Sequence, residues 1–260
     1  MTIDEALKQG KKIVVSLSGG KDSTAMGLML LERGVPVEEF LFVDTGLEYP
    51  EIYATIDRFE EVTGRKVTRL KRKDGRDYLY YAAHHPVTPR DPTRTTRKDG
   101  TPRRTTGYGW SNALRRYCTK HLKVEVINAH KAANYAPGTY VDAVGIAFDE
   151  PKRIHDDAPK VYPLNEWKVT EADAMAYCRA RGFYPSPNAY DDCKRVSCFC
   201  CPLMGLQSIR YLIGKRPELW QRIKDMEAEI GDPWRDKGTA YYEARYQKDG
   251  LTPHPGKKGA

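Results

Sequence analysis

Along the first seventy positions, short apolar runs alternate with longer stretches in which apolar residues recur at helical spacing. Ile13-Val14-Val15, Phe40-Leu41-Phe42-Val43 and Lys66-Val67-Thr68-Arg69-Leu70 have the length and β-branched or aromatic content of strands. Between them, helices are predicted from the end of the first strand to about 33, stopping at Gly34, and from about Pro50 to Gly64, with a short leading helix over 3–10. Strands separated by helices of this length predict an α/β domain, a parallel sheet with right-handed crossovers and helices on both faces. Ligands of such sheets lie beyond the carboxyl ends of the strands, where Ser18-Gly19-Gly20 and Asp44-Thr45-Gly46 fall.

The pattern breaks over 71–110. No periodicity survives there, and the segment carries Lys71, Arg72, Lys73, Arg76, Arg90, Arg94, Arg97, Lys98, Arg103 and Arg104. A long mobile loop or lid is expected, either a solvated insertion or a surface for the phosphate backbone of a nucleic acid. A helix resumes from Leu114 through Ala133, a strand from Thr139 to Ile146, and a helix over about 170–181. A cysteine-rich loop covers 190–202, and 203–248 is predicted helical, with Trp220 and Trp234 as packing residues. The expected division is an α/β domain over 1–168 and a helical region with the cysteine loop over 169–260.

Composition narrows the class. Hydrophobic residues make up 40% and charged residues 30%, enough apolar surface for a core, and no apolar run approaches the ~20 residues of a membrane span. Met1 to Lys8 lacks a signal-peptide apolar core, so a cytoplasmic protein without membrane contact is expected. The net charge of +8 favours polyanionic partners. Of six cysteines, four lie between 193 and 201, a clustering that in a cytosolic chain points to metal or redox chemistry rather than disulfides.

The densest chemistry follows the first strand. Ser18-Gly19-Gly20-Lys21-Asp22-Ser23 sets a glycine turn at the start of an amphipathic helix, whose unpaired amides and partial positive charge receive phosphate. It is not a Walker A loop, because Val15 stands where that motif needs glycine and Asp22 follows the lysine. The stretch resembles the PP-loop of the ATP pyrophosphatase superfamily, whose members split ATP between the α and β phosphates. Further stretches, Phe42 to Glu51, Tyr117-Cys118-Thr119-Lys120-His121-Leu122-Lys123, Gly145 to Arg153, and Tyr162-Pro163-Leu164 with Trp167, resemble signatures of the phosphoadenosine phosphosulfate (PAPS) reductase family. They recur in order across 13–202, about three quarters of the chain. The resemblance implies an adenine-nucleotide-hydrolase-like fold. It also implies that Ser16 and Ser18, Gly19, Gly20, Lys21, Asp22 and Ser23 hold the phosphates of ATP, Asp22 carrying Mg²⁺. Val43 and Asp44 would meet adenine (Asp44 being alternatively a strand-end cap), Gly145 would allow close approach, and Lys120, Lys123 and Arg153 would be further cations. Lys21, Asp22, Lys120 and Arg153 are the catalytic candidates.

Within that family, reductases of activated sulfate generally lack the Lys-Asp pair and carry a catalytic cysteine near the C-terminus. This chain keeps the pair and has no cysteine after Cys201. ATP-dependent adenylation with sulfur transfer to nucleic acid is therefore expected, served by a sulfur-donor protein. Reduction or synthesis of activated sulfate, and a nucleotide-gated nucleic-acid-binding module, are the rivals. Thiolates on a short loop suit zinc or an iron–sulfur cluster. The likeness to iron–sulfur members implies a 4Fe–4S cluster on Cys118, Cys193, Cys198 and Cys201, with Cys200 as substitute or sulfur acceptor and zinc as the alternative. Cys178 is expected to pack in its helix, and His84, His85 and His121 to be surface or phosphate contacts.

Overall fold

Strand and helix alternate as the apolar pattern requires: α1 (Ile3–Lys8), β1 (Lys12–Ser16), α2 (Lys21–Glu32), β2 (Val37–Val43), α3 (Pro50–Thr63) and β3 (Val67–Leu70). After a long intervening segment come α4 (Glu125–Asn134), β4 (Tyr140–Val144), β5 (Lys160–Val161), α5 (Pro163–Glu166), α6 (Glu171–Arg179) and α7 (Ala189–Asp192). This computed structural model describes residues 1–88, 93, 95, 96, 100, 102–154 and 159–251. All pairings in the sheet are parallel, in the order β3-β2-β1-β4-β5. The right-handed rule puts α2 and α3 on one face; the reversal of direction before β4 puts α4 on the other, where it packs against β2 and β3. The reversal falls between β1 and β4, so the loops that follow these two neighbours diverge there and leave a crevice at their carboxyl ends.

The chain separates into two compact units, interleaved in sequence. Met1–Asp44, Glu48–Lys71 and Val124–Asp191 form the first, and Thr45–Leu47, Arg72–Lys123 and Asp192–Ala260 the second. The first unit's core is the sheet. Ile13, Val14, Val15, Phe40 and Val141 are fully buried, and Phe40 meets Phe59 edge-on at 5.0 Å. Gly27 on α2 makes room for that ring, since a Cβ there would lie 3.1 Å from Phe59. Helix α6 packs on α2, held in its first turn by a reciprocal cap between Thr170 and Asp173.

The second unit holds α8 (Leu206–Lys215), α9 (Pro217–Ile230) and α10 (Thr239–Asp249), packed around Trp234, which meets Trp220 at 5.4 Å and Tyr242 at 5.6 Å. The expectation of a mobile loop or lid over 71–110 is corrected by what the described part of that segment contains. Tyr80–His84 forms a π-helical turn, and Tyr78, Tyr81 and Trp110 are 3%, 2% and 6% exposed. Residues 105–109 hydrogen-bond back onto 81–87, as in Tyr108 N–H to Tyr81 O at 2.9 Å and Gly107 N–H to His85 O at 2.7 Å. Arg90, Arg94, Arg97 and Lys98 lie outside the described residues. The helix predicted from Leu114 begins at Cys118, because the Asn112 side-chain oxygen accepts from the amides of Leu114 and Arg115 and closes a turn instead. Cys118–Val124 is a π-helical stretch that runs on into α4. No helix among the described residues is long and apolar enough to cross a membrane.

Gly145, just after β4, tests how tightly the crevice is built. A Cβ there would lie 2.9 Å from the backbone of Ser23, at the start of α2, and backbone does not yield as a side chain would. Gly145→Ala is expected to cost about 1–3 kcal/mol and to lower the thermal midpoint by several degrees. Gly205→Ala, where nothing lies within 4 Å, is expected to cost no more than about 1 kcal/mol, the loss of a glycine N-cap on α8. Thermal unfolding of the two variants side by side makes the comparison.

Candidate functional site

The turn between β1 and α2 is closed by its own serines. Ser18 N–H donates to Ser23 Oγ at 3.1 Å, the two hydroxyls lie 3.0 Å apart, and Ser23 Oγ donates to Gly20 O at 3.0 Å. Gly19 has φ +74°, and a Cβ there would meet Ile52 at 2.8 Å, so glycine is required on both counts. Gly20 is the N-cap in extended backbone. Tyr184 Oη donates to Gly19 O and accepts from Thr24 Oγ1–H, and Tyr190 Oη accepts from Lys21 N–H at 3.1 Å. The turn is therefore rigid before any ligand arrives, with the first-turn amides of Asp22 and Ser23 lacking intrahelical acceptors.

Lys21 does not point freely into solvent. Its ammonium, 11% exposed, lies 2.9 Å from Asp22 and 2.8 Å from Glu171 at the start of α6. Burial acts to lower its pKa, but the hydrogen bonds to Glu171 and Asp22 outweigh this and raise it. Asp22 is also shifted upward. Burial is the main cause, reinforced by Glu171 and Glu150 and only partly offset by Lys21. One oxygen each of Asp22, Glu150 and Glu171 lies within 4.8 Å of the others. Three carboxylates around one ammonium leave an excess of negative charge, and hard oxygen donors of this kind suit Mg²⁺. Arg153, in the turn Pro151–Arg153, pairs with Glu150 from an exposed position.

The remaining sequence candidates distribute between the units. Ser16 ends β1, and Gly145 backs onto the amide of Ser23. Val43 is buried at the end of β2. Asp44 accepts a 2.7 Å hydrogen bond from Tyr53, whose hydroxyl pKa is pushed far up by burial and then by that bond. Lys120 is exposed on the π-helical stretch of the second unit. Cys178 is fully buried on α6, 3.5 Å from Lys21 O, its thiol pushed up to about 12 chiefly by burial.

The other five cysteines lie in the second unit. Cys200 is buried, and its thiol is raised by burial and then by Cys198, Cys201 and Cys118. Cys201 is raised mainly by burial, with Cys118 adding to the shift and Arg116 and Lys123 opposing it. Cys118, Cys198 and Cys201 thus lie near enough to Cys200 to act on its charge, and soft donors suit zinc or an iron–sulfur cluster in chemistry. Among the described residues, however, no three cysteine sulfurs come within 4.8 Å of one another, so the expected set Cys118, Cys193, Cys198 and Cys201 is not gathered at the spacing of a single ion. Cys193 is buried nearby in sequence. The loop is fixed by backbone: Phe199 N–H donates to Leu47 O, and Trp234 Nε1 donates to Cys200 O at 3.0 Å. His121 stacks on Tyr81 at 4.6 Å, and His84 pairs with Glu229 at 2.8 Å.

Sequence reasoning missed Glu150, Glu171, Tyr184 and Tyr190. Glu150 stood inside a quoted motif without a role. Glu171 had no signal beyond a helix-start position, because its link to Lys21 spans 150 positions.

Residues 12–91 match the family model described as the phosphoadenosine phosphosulfate reductase domain. Two uncharacterized proteins of Methanocaldococcus jannaschii are similar at 24% and 22% identity over 88% and 86% of the chain. The chain spans about half the length of these relatives, 45% and 47%. An uncharacterized 37.8 kDa protein of Escherichia phage 186 is 25% identical, over 90% of this chain and 79% of its own. Among solved structures, the U34-tRNA thiolase NcsA of Methanococcus maripaludis with its 4Fe–4S cluster aligns at 14% identity and a TM-score of 0.40, covering 94% of this chain and 86% of that one.

A raised carboxylate pKa costs stability once the group ionises. Below the unfolded value both states are protonated; as pH rises through the higher folded value, the folded state alone is penalised. Asp22→Asn is therefore expected to raise the thermal midpoint at pH 7, less whatever Lys21 loses with its Asp22 partner, with the gain fading towards pH 4. Millimolar Mg²⁺ should raise the midpoint of the parent protein and leave the Asn variant unmoved. Thermal melts from pH 4 to 8, with and without Mg²⁺, measure both effects.

Proposed function

We propose that the protein is an ATP-dependent adenylating enzyme that prepares a nucleic-acid substrate for sulfur transfer. The observation that carries this reading is the preformed Ser18–Ser23 turn, with Lys21 caged by Asp22 and Glu171 and with Glu150 adjoining. An anion-receiving helix end beside an oxygen-rich cation site is what a magnesium–triphosphate complex requires. The match of 12–91 to the phosphoadenosine phosphosulfate reductase domain supports the coarser part of this reading, a role in sulfur transfer.

Asp22, Glu150 and Glu171 would hold the metal, which supplies charge neutralisation on the triphosphate. Lys21, relieved of its carboxylates, would turn to the phosphates, joined by the amides of Asp22 and Ser23. A substrate oxygen attacks the α-phosphorus as the bond to the bridging oxygen of pyrophosphate breaks. Sulfur then attacks the adenylated carbon, and AMP leaves with that oxygen. The protein's contribution is in-line positioning and neutralisation of charge, not a side-chain base. In the second unit, Cys118, Cys198 and Cys201, with Cys193 or Cys200, would hold a cluster that supplies sulfur or its activation. Lys120 and Lys123 would add cations, and a sulfur-donor protein would replenish the system.

Purified anaerobically, the protein is expected to bind ATP and release pyrophosphate when the nucleic-acid substrate is present. Lys21→Ala should lower kcat/KM about 10²–10³-fold. Isothermal titration with a non-hydrolysable ATP analogue and a pyrophosphate assay test this. Absence of any ATP affinity, unchanged by substitution at Lys21, would end the reading. Iron and zinc analysis with a visible spectrum decides the metal: broad absorption lost on substituting Cys118 is expected, and a colourless zinc protein removes the cluster.

A further inference from the structure

The second unit contains a cavity of about 560 Å³ that the adenylating site does not use. Its walls are the 103–115 segment and the turn at 232–236. The volume lies within the range of pockets that enclose a small-molecule ligand, about 300–1,000 Å³. Four arginines line it, Arg103, Arg104, Arg115 and Arg235, against two aspartates, Asp232 and Asp236. The formal balance is thus two positive charges.

Those arginines are not equivalent. Arg104 is neutralised by Asp232 at 3.0 Å and also donates to Ile230 O. Arg235 donates to Met204 O and lies over the Tyr242 ring at 5.5 Å; its backbone has φ +59°, a conformation few side-chain-bearing residues adopt. These two are fixed parts of the wall. Arg103 donates through Nε to Thr96 O, and neither it nor exposed Arg115 has a carboxylate partner among the described residues. Two guanidinium forks are left to meet an anion, and phosphate is the anion their planar geometry matches.

The rest of the lining is flat and apolar with a polar edge. Trp110 is anchored by its Nε1–H to Asp232 O at 2.9 Å, and Tyr108 is held in a ring cluster with Tyr117 and His85. Asn112 uses its side-chain oxygen in the 112–115 turn, which leaves its NH₂ as a donor at the rim. The wall is preformed by glycines: a Cβ on Gly107 would lie 2.2 Å from Ala82 O, and one on Gly109 would lie 2.6 Å from Asp232.

We infer that this cavity holds one nucleotide of a single-stranded nucleic acid, with its phosphate on Arg103 and Arg115 and its base against half-buried Tyr108, at a wall that buried Trp110 supports. Aromatic faces with a basic edge suit an unstacked base, and a charge excess of two suits a phosphodiester better than a triphosphate. The inference rests on the reading that the substrate is nucleic acid, and assigns where it is gripped.

The test is fluorescence anisotropy with labelled twelve-nucleotide single strands, DNA and RNA, and with AMP as competitor. The parent protein is expected to bind a single strand. Arg103→Ala/Arg115→Ala should weaken that binding at least tenfold in 50 mM salt and reduce the slope of log affinity against log salt by about 1.4. Lys8→Ala/Lys11→Ala, removing as much charge from the first unit, should leave both unchanged. Strand binding that survives loss of Arg103 and Arg115 overturns the cavity and spares the nucleic-acid reading. Absence of strand binding by a parent protein that still binds ATP overturns both. AMP binding that depends on the two arginines, with no strand able to compete, makes this a free-nucleotide site and overturns the inference. Should the arginine variant fold poorly, photocross-linking of an iodouridine strand to the parent protein decides: a cross-link in the Tyr108–Trp110 peptide supports the cavity, and cross-links confined to other peptides overturn it.

Discussion

A lysine ammonium held between two carboxylates at the mouth of a helix is the interaction on which the first unit's chemistry turns. Lys21 sits where the α2 amides leave partial positive charge, yet three carboxylates crowd the same few ångströms. Left alone, that arrangement is a liability, because burial raises the cost of ionising Asp22 and its acidic neighbours add to it. Hydrophobic residues of similar volume would serve folding as well or better. Under the proposed function, a divalent cation and a phosphate chain sharing the site would offset that cost, the cation meeting the carboxylates and the phosphates the lysine. The geometry that enforces this is backbone against backbone. Gly145 brings the end of β4 onto Ser23, and the hydroxyls of Tyr184 and Tyr190 hold the turn from behind.

The second unit solves a different problem. Cys200 is buried under a loop fixed by its backbone, so its free thiol is driven towards the neutral form, and half-buried Cys201 is shifted the same way. Thiolates in such surroundings need a cation to offset their charge, and Cys118, Cys198, Cys200 and Cys201 already feel one another. The C-x2-C spacing alone would not distinguish a ligand pair from a redox pair. Under the proposed function, Cys118, contributed by a π-helical stretch distant in sequence, would add a ligand to that pair.

How legible this was depended on how local the forces are. The strand–helix alternation to residue 70 is written in apolar periodicity, and the boundaries at Gly34 and Gly64 follow from left-handed glycines that end helices. The Ser18–Ser23 turn was equally plain, since its bonds span five residues. The 71–110 segment was opaque because its order comes from Tyr78, Tyr81 and Trp110, aromatic residues with no period, packed by tertiary contact. Glu171 was opaque for the same reason at greater range. A carboxylate in the first turn of a helix is ordinary, and only the packing of α6 on α2 gives it Lys21 as a partner. Domain layout was obscured likewise, since a unit assembled from three separate stretches leaves no single compositional boundary.

The positive charge of the chain gains a more exact meaning from this arrangement. A net +8 suggests a diffuse attraction for polyanions, but many of the described basic residues are already spoken for. Arg69 pairs with Asp57 and Glu60, Arg181 with Glu32, Lys131 with Asp142, and Lys215 with Asp192. The exposed pairs among them, such as Arg181–Glu32 and Lys215–Asp192, add little stability, and all of them cancel one another's field at short range. Two local places suit an anion: the helix end that Lys21 guards, and Arg103 and Arg115, which line a cavity and have no carboxylate partner among the described residues. An anion meeting either place encounters rigid backbone set in advance by glycines, so little ordering cost falls on binding. Under the proposed function, recognition of phosphate would rest on these two small, preformed sites, with the overall charge bringing the polyanion near them.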